Sequence, residues 1–202
     1  MDYIISLILI LAIIMAGFRR IKLIKIGFAL QSFLIAVICF IKGYEYKEYG
    51  LFILGILTII TKVFIIPYIV KRSAVNLKKR RETELIINGY WSYIISGVSV
   101  VLTFAFLKSY SDSIFKASLV LIIVGVILLV GRKKALTQML GLLIMENGIV
   151  LFEISLVKIG PILEVGIIFE MLVLSLIMGV MVFRINKTFN SINTDYLSNL
   201  KE

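Results

Sequence analysis

The sequence predicts an all-α integral membrane protein with seven transmembrane helices, its N-terminus outside and its C-terminus in the cytoplasm. Hydrophobic residues make up 60% of the chain and charged residues only 17%, and the mean hydropathy is +1.06. The apolar residues come in blocks long enough to cross a bilayer rather than in amphipathic stripes. Basic residues cluster in alternate connections between these blocks, which is the pattern of a multi-pass protein with a defined orientation.

A span of about 20 apolar residues predicts where each helix lies. The seven predicted helices are Tyr3–Phe18, Ile26–Ile41, Tyr49–Val70, Ile86–Leu107, Ile114–Val130, Ala135–Val157 and Ile162–Phe183. The first is short, roughly 24 Å at 1.5 Å per residue, but Arg19 and Arg20 can reach the membrane interface with their long side chains. Because no basic segment precedes it, as a signal peptide would require, we expect this helix to be retained.

The orientation follows from the basic residues of the loops. The loops after the first, third, fifth and seventh predicted helices carry most of them: Arg19, Arg20, Lys22, Lys25, Lys71, Arg72, Lys78, Lys79, Arg80, Arg81, Arg132, Lys133, Lys134, Arg184 and Lys187. The other loops contain only Lys42, Lys47, Lys108, Lys116 and Lys158, several of them beside acids. Loops rich in lysine and arginine face the cytoplasm, so we expect a multi-pass protein with its N-terminus outside and its C-terminus inside.

The longest connection, from Lys71 to Glu84, predicts a division into two membrane regions. Residues 1–81 form an N-terminal three-helix region and residues 82–202 a C-terminal four-helix region. The net charge of +10 and the basic run at 78–81 are explained by the orientation and by contact with anionic membrane lipids. A docking surface for an acidic cytoplasmic subunit is the alternative, and nucleic acid is not expected as a partner.

The residue types exclude most cofactor chemistry. The chain has one cysteine, Cys39, and no histidine, so it lacks the ligand sets of zinc, haem and iron–sulfur sites. The sequence contains no phosphate-binding glycine loop and no nucleophile–base arrangement. We therefore expect no bound cofactor, no metal and no active site in this chain, whether or not it serves an enzyme complex as a non-catalytic subunit.

Three charged residues fall near the middle of predicted helices: Lys62 in the third, Glu146 in the sixth and Glu170 in the seventh. By the helical rise, each lies about 17 to 21 Å from one end of its span, which is close to the membrane midplane. Ionisable residues at this depth are costly if they face lipid and often mark ion pathways. A purely structural role, in which a protonated acid links helices by hydrogen bonds, is the alternative.

Two further acids, Glu153 and Glu164, predict a second and shallower layer. Glu153 follows Glu146 by two helical turns on the same face, about 10 Å further along the axis, and Glu164 falls at a similar depth on the next helix. The two layers together could form a proton path that enters from outside. The alternative interpretation places Glu153 and Glu164 among the hydrated outer headgroups.

Lys62 requires an anion, a water-filled cavity or the loss of its proton, because burial disfavours a charged lysine. A Lys–Glu pair satisfies this requirement most simply. Five residues later Pro67 removes a backbone donor, so we expect a kink there that leaves polar backbone facing a cavity. Gln31 and Ser32 could hydrogen-bond to Lys62 or to another neighbour.

A stripe of small polar residues predicts the packing face of the fourth helix. Its members, at spacings of three or four, are Ser92, Ser96, Ser99 and Thr103. Membrane helices use such stripes for close packing.

These residues carry a family resemblance. The segment "ALTQMLGLLIMENGIVLFEISL" and, after a short turn with proline, "LEVGIIFEMLVLSLIMGVMVFRI" resemble the K-type small subunit of respiratory complex I and its relatives in Mrp-type cation antiporters, over residues 135–184. With the additional N-terminal helices, "LTIITKVFIIPYIV" among them, the whole chain is similar to component E of hydrogenase-4. That family comprises membrane subunits of formate hydrogenlyase and related group 4 [NiFe] hydrogenases, and the resemblance implies a multi-pass protein in the plasma membrane of a prokaryote.

The resemblance implies roles for particular residues and partners. Glu146 in "MENGI" matches the first family carboxylate, Glu170 in "FEML" the second, and Lys62 the lysine that precedes the proline. The implied function is proton or sodium translocation coupled to electron transfer in partners, namely antiporter-like membrane subunits and hydrogenase and iron–sulfur subunits. The chain departs from the short complex I subunit by its additional helices and by Glu153 and Glu164. A scaffold subunit is the competing interpretation, and the absence of an internal repeat disfavours a stand-alone small-molecule transporter.

Overall fold

The computed structural model describes residues 1–75, 88–110, 112–132 and 135–156, and these residues form helices joined by short turns. The helices are α1 (Asp2–Gly17), α2 (Ile21–Tyr46), α3 (Tyr49–Thr58), a π-helical segment (Ile59–Ile65), α4 (Ile66–Val75), α5 (Gly89–Phe106), α6 (Ser113–Gly131) and α7 (Ala135–Ser155). α3, the π-helical segment and α4 follow one another without a break. No strand occurs in these four ranges.

The structure confirms an all-helical fold of membrane type and extends some of the predicted helices. Five helices are long and apolar enough to cross a membrane, and α1 is a shorter apolar helix. α2 begins at Ile21, so Lys22 and Lys25 lie on its first turns and not in a loop. Long basic side chains can reach polar surroundings from within a helix, which is why the helix continues beyond its apolar block. The seventh predicted helix, Ile162–Phe183, lies outside the described residues, so seven spans and the orientation stay predictions.

α2 occupies the centre of the described fold. It contacts α1, α3, the π-helical segment, α4 and α7, whereas α1 also packs against α5 and α6. Aliphatic residues from these helices form one continuous apolar core, in which Ile8, Phe28 and Leu121 are completely buried. The turn after α2 is tight because Lys47 adopts a left-handed conformation (φ 56°) and the Glu48 N–H bonds to the carbonyl of Gly43 at 3.1 Å, a common helix ending.

α6 and α7 form the most extensive helix pair, and glycines bring their backbones together. A methyl group added at Gly125 of α6 would lie 2.4 Å from the Met145 nitrogen, and one added at Gly148 of α7 would lie 2.7 Å from the Ile122 nitrogen. Gly141 similarly touches the backbone of Leu129, at 2.6 Å from its nitrogen. Small residues allow this close approach, which is how membrane helices gain packing energy without help from water.

A π-helical segment directly precedes the position at which the sequence predicts a kink, Pro67. Backbone bonds of a π-helix run over five residues instead of four, and this wider spacing accommodates a proline two residues after the segment, because the missing donor no longer interrupts a regular α-helical ladder. The chain is helical from Tyr49 to Val75. The kink at Pro67 and the polar backbone facing a cavity stay predictions.

The predicted packing stripe of α5 is confirmed. Ser92, Ser96, Ser99 and Thr103 are all buried, on a helix that contacts α1 and α6. Two of the hydroxyl groups donate to carbonyls of the same helix, from Ser99 to Ser96 and from Thr103 to Ser99, each at 2.7 Å.

The predicted orientation can be tested with a topology reporter that is active only outside the cytoplasm. We expect activity when it is fused after Leu107 and none when it is fused after Val130, because basic loops remain inside. The opposite pattern of activity would reverse the orientation.

Candidate functional site: a buried ion pair

A lysine and a glutamate form an ion pair in the interior of the helix bundle. The Lys62 Nζ lies 3.1 Å from the Glu146 Oε1, and the two residues are only 2% and 3% exposed. Lys62 comes from the middle of the π-helical segment and Glu146 from the middle of α7. The pairing of Lys62 with a carboxylate is therefore observed, and both residues lie at the same depth of the bundle.

Asn147, the neighbour of Glu146, binds the same ammonium group. The Lys62 Nζ donates to the Asn147 Oδ1 at 3.0 Å, so two consecutive residues of α7 accept from one lysine. Asn147 is itself completely buried. An amide oxygen offers a second acceptor without a second charge, and this lowers the cost of burying the ammonium group.

The network continues from Asn147 onto α2 and α1. The Asn147 Nδ2 donates to the Ser32 Oγ at 3.0 Å and to the Gln31 Oε1 at 3.4 Å. The Gln31 Nε2 in turn makes a long hydrogen bond of 3.5 Å to the carbonyl of Ile8. A chain of buried polar groups thus connects the ion pair with the middle of α1.

Each residue of this network is positioned by the local structure of its helix. Lys62 sits in the π-helical segment, a type of local widening that is frequent at functional sites. Gly148 directly follows Asn147, and its lack of a side chain lets α7 approach the α6 backbone closely at this position. Gln31 and Ser32 are adjacent on α2, the helix that contacts both α7 and the π-helical segment.

A groove runs along the surface near the site, but it does not extend the polar network. It has a volume of about 320 Å³ and is lined by residues of α2, the π-helical segment and α4: Lys25, Ile26, Ala29, Leu30, Phe33, Val63 and Pro67. Apart from Lys25 these side chains are apolar, so the groove offers a place for an acyl chain or an apolar side chain.

The other sequence-predicted acids are placed less centrally or not described. Glu153 lies half-buried in the last turns of α7, on the same helix as Glu146. Glu164 and Glu170 lie outside the described residues, so their relation to the ion pair stays a prediction. Among the described residues no cluster of histidine, cysteine, aspartate and glutamate side chains could hold a metal ion.

Sequence reasoning did not single out Asn147. The available signal was an uncharged amide beside a membrane-embedded acid in "MENGI", since a buried amide needs partners for both its donor and its acceptor. Its partners could not be foreseen, because they come from α2 and from the π-helical segment, which are distant in sequence.

The fold and the site define a multi-pass helical membrane protein with a buried lysine–glutamate pair. The chain is 22% identical over 204 residues to an uncharacterised protein of Mycobacterium tuberculosis, Rv0085, with 96% of this chain and 93% of that protein covered. No known protein family matches the sequence, and no solved structure matches the fold. The similarity to Rv0085 does not indicate an activity for this chain, because that protein is itself described only as uncharacterised.

Proposed function

We propose that this chain is a membrane subunit of a complex I-like group 4 [NiFe] hydrogenase, of the hydrogenase-4 or formate hydrogenlyase type. In this role it contributes to proton or sodium translocation that is coupled to electron transfer in partner subunits. The proposal rests on the family resemblance of the sequence together with one structural observation, the buried pair of Lys62 and Glu146.

The ion pair supports this proposal because it is expensive to maintain. Removing two charges from water costs several kcal/mol per ion, and the attraction between them often fails to compensate for that cost. Apolar residues of similar size would hold these helices together equally well. Ionisable residues retained inside a membrane bundle are functional by default, and this pair is joined to a polar network that spans several helices.

The coupling works through the charge state of the pair. When a partner subunit brings a positive charge towards Glu146, that charge stabilises the Glu146 carboxylate and weakens its ion pair with Lys62. When the charge moves away, the ion pair forms again or takes up a proton. A second acid at similar depth, Glu170 by the resemblance, would receive the proton. In this scheme Asn147 holds the ammonium group while Glu146 changes its protonation state.

The decisive variant is Glu146→Gln, which keeps the shape of the side chain but removes its charge. We expect assembly to persist and hydrogenase turnover to continue, with coupled ion movement reduced at least about tenfold, because a group that cannot ionise cannot relay a proton. The measurement uses sealed inverted vesicles from the source organism with the variant in place of the native chain. Turnover, the pH gradient and sodium uptake are recorded together.

A matched control is Glu45→Gln, which removes the acid of the exposed Lys42–Glu45 pair at the end of α2. It should leave ion movement unchanged. Normal coupled ion movement in Glu146→Gln and in the combined Glu146→Gln/Glu170→Gln variant would rule out the translocation role. Native vesicles without hydrogen-dependent ion movement would rule out the hydrogenase assignment.

A scaffold subunit is the second candidate, and the completeness of the polar network favours it. The Lys62 ammonium group has two acceptors, and Asn147 uses both ends of its amide, as in a structural network that fixes helix positions. A scaffold docks antiporter-like and hydrogenase subunits without moving ions. It predicts that Glu146→Gln leaves coupling intact and that variants which disrupt packing cause the complex to dissociate.

A further inference from the structure

One arginine outside the ion-pair network is buried, and no described carboxylate lies within ion-pair distance of it. Arg132 follows the end of α6, and its side chain is 1% exposed. Its Nη2 donates to the Ala16 carbonyl at 2.7 Å, whereas its Nη1 has no hydrogen-bond partner in the described part of the chain. The backbone of Arg132 is held in place as well, because the Gln138 Nε2 donates to its carbonyl at 2.7 Å.

A second arginine lies beside the first. Burial lowers the pKa of the Arg132 guanidinium group, and the positive charge of the nearby Arg19 lowers it further. Arginine nevertheless stays protonated in proteins, so the unfavourable energy is not relieved by loss of a proton. Arg132 has no carboxylate within ion-pair distance among the residues that the structure describes. In the described part of the chain the buried Arg132 therefore lacks the anion that such burial normally requires, and the exposed Arg19 adds a second positive charge nearby.

The N-terminus of α5 reaches the same place. A methyl group added at Gly89, the first residue of α5, would lie 3.1 Å from the Gly17 carbonyl and 3.8 Å from the Arg19 Nε. Asn88, which precedes the helix, makes no side-chain capping hydrogen bond. Asn88 therefore does not cap the first N–H groups of α5, and a helix N-terminus favours an anion.

We propose that Arg132, Arg19 and the N-terminus of α5 bind the phosphate group of an anionic phospholipid. A phosphodiester offers two non-ester oxygens, which match the paired N–H groups of a guanidinium. The predicted orientation places this arginine site, defined by Arg19, Gly89 and Arg132, at the cytoplasmic interface, where anionic headgroups are found. The bound lipid would join the ends of α1, α5 and α6, which carry the two halves of the membrane region.

The chain contains a built-in probe of this site, because its single tryptophan, Trp91, is exposed in the first turn of α5. The full chain in bilayers of phosphatidylcholine is titrated with phosphatidylglycerol brominated on its acyl chains, and quenching of Trp91 fluorescence reports the exchange. Brominated phosphatidylcholine gives the reference without net charge. Both lipids present the same phosphodiester, but phosphatidylcholine also carries a choline cation, which the two arginines repel. We therefore expect phosphatidylglycerol to bind about tenfold more tightly.

The variants separate this site from general surface charge. The selectivity is the affinity for phosphatidylglycerol divided by the affinity for phosphatidylcholine. Arg132→Gln should bring this ratio close to one. Lys22→Gln removes the same charge from an exposed position in the first turn of α2 and should leave the ratio unchanged. Arg19→Gln alters an exposed residue without a risk to folding, and we expect it to lower the selectivity several-fold. Circular dichroism verifies that each variant is folded.

Three results would overturn the proposal. They are equal binding of the two lipids by the native chain, equal losses in Arg132→Gln and Lys22→Gln, and unchanged selectivity in Arg19→Gln and Arg132→Gln. Inorganic phosphate added to the bilayers distinguishes the sources of the anion. Displacement of the brominated lipid by millimolar phosphate would assign the site to the free ion instead.

Discussion

Replacing Lys62 with methionine should lower the free energy of unfolding by about 3 to 5 kcal/mol, the cost of breaking a buried ion pair by removing one of its members. The variant leaves the Glu146 carboxylate in an apolar interior and removes the donor to the Asn147 Oδ1. Unfolding of the purified chain in mixed micelles, titrated with sodium dodecyl sulfate and followed by circular dichroism, measures the change.

Removing the charge of Glu146 as well should restore part of the lost stability. In Lys62→Met/Glu146→Leu both charges of the pair are removed, and apolar replacement of a buried ion pair is often neutral or stabilising. We therefore expect the double variant to be more stable than Lys62→Met alone. A double variant as unstable as the sum of its two single variants would mean that the two side chains do not interact in the membrane.

The exposed pair of α2 provides the reference for this cycle. The Lys42 Nζ lies 2.8 Å from the Glu45 Oε2, but 55% of the Glu45 side chain is exposed. Exposed pairs contribute about 1 kcal/mol or less, so Lys42→Met should have little effect. The comparison isolates burial as the cause, since both pairs have similar geometry.

A methyl group added at Gly125 or Gly148 should separate α6 from α7. The added carbon would lie 2.4 Å from the Met145 nitrogen or 2.7 Å from the Ile122 nitrogen, and backbone atoms cannot give way without a shift of the whole helix. Overpacking of this kind costs about 1 to 3 kcal/mol. We expect Gly125→Ala and Gly148→Ala to unfold at clearly lower concentrations of sodium dodecyl sulfate.

Gly97 of α5 is the matched control, because a methyl group there would meet nothing within 4 Å. Gly97→Ala should be as stable as the native chain or slightly more stable, as expected for alanine in a helix. If all three variants change in stability by the same amount, the change is caused by helix propensity and not by the contact between α6 and α7. Gly148→Ala should also impair coupled ion movement if the proposed function holds, because it displaces the neighbouring Asn147.

The functional consequence of the fold lies in how one lysine is shared. Lys62 binds Glu146 and Asn147 at nearly equal distances, 3.1 and 3.0 Å, so the ammonium group keeps one acceptor if the carboxylate is protonated. This reduces the free energy difference between the charge states of the pair. The same arrangement serves a static scaffold, which is why ion movement and assembly have to be measured in the same vesicles.

The membrane class and most of the helices follow from the sequence by itself. Each apolar block of about 20 residues has to become a helix in lipid, because no other single segment satisfies its own backbone hydrogen bonds there. The depth of each residue in the membrane also follows from the sequence, since the rise of 1.5 Å per residue places Lys62 and Glu146 at the midplane before any tertiary contact is known. The packing face of α5 was predictable for the same reason, because its small residues repeat at the helical period.

Only the tertiary structure decided which groups meet. The rotation of α7 about its axis depends on the contact of Gly125 and Gly148 with the facing backbone, and this rotation turns Glu146 and Asn147 together towards Lys62. The π-helical segment around Lys62 was not predicted from the sequence, in which the missing backbone donor of Pro67 indicated only a kink. Arg132 looked like one more basic loop residue, yet it is buried against α1. The helical rise is a property of each segment by itself. Which side chains contact each other depends instead on packing between helices that are far apart in sequence.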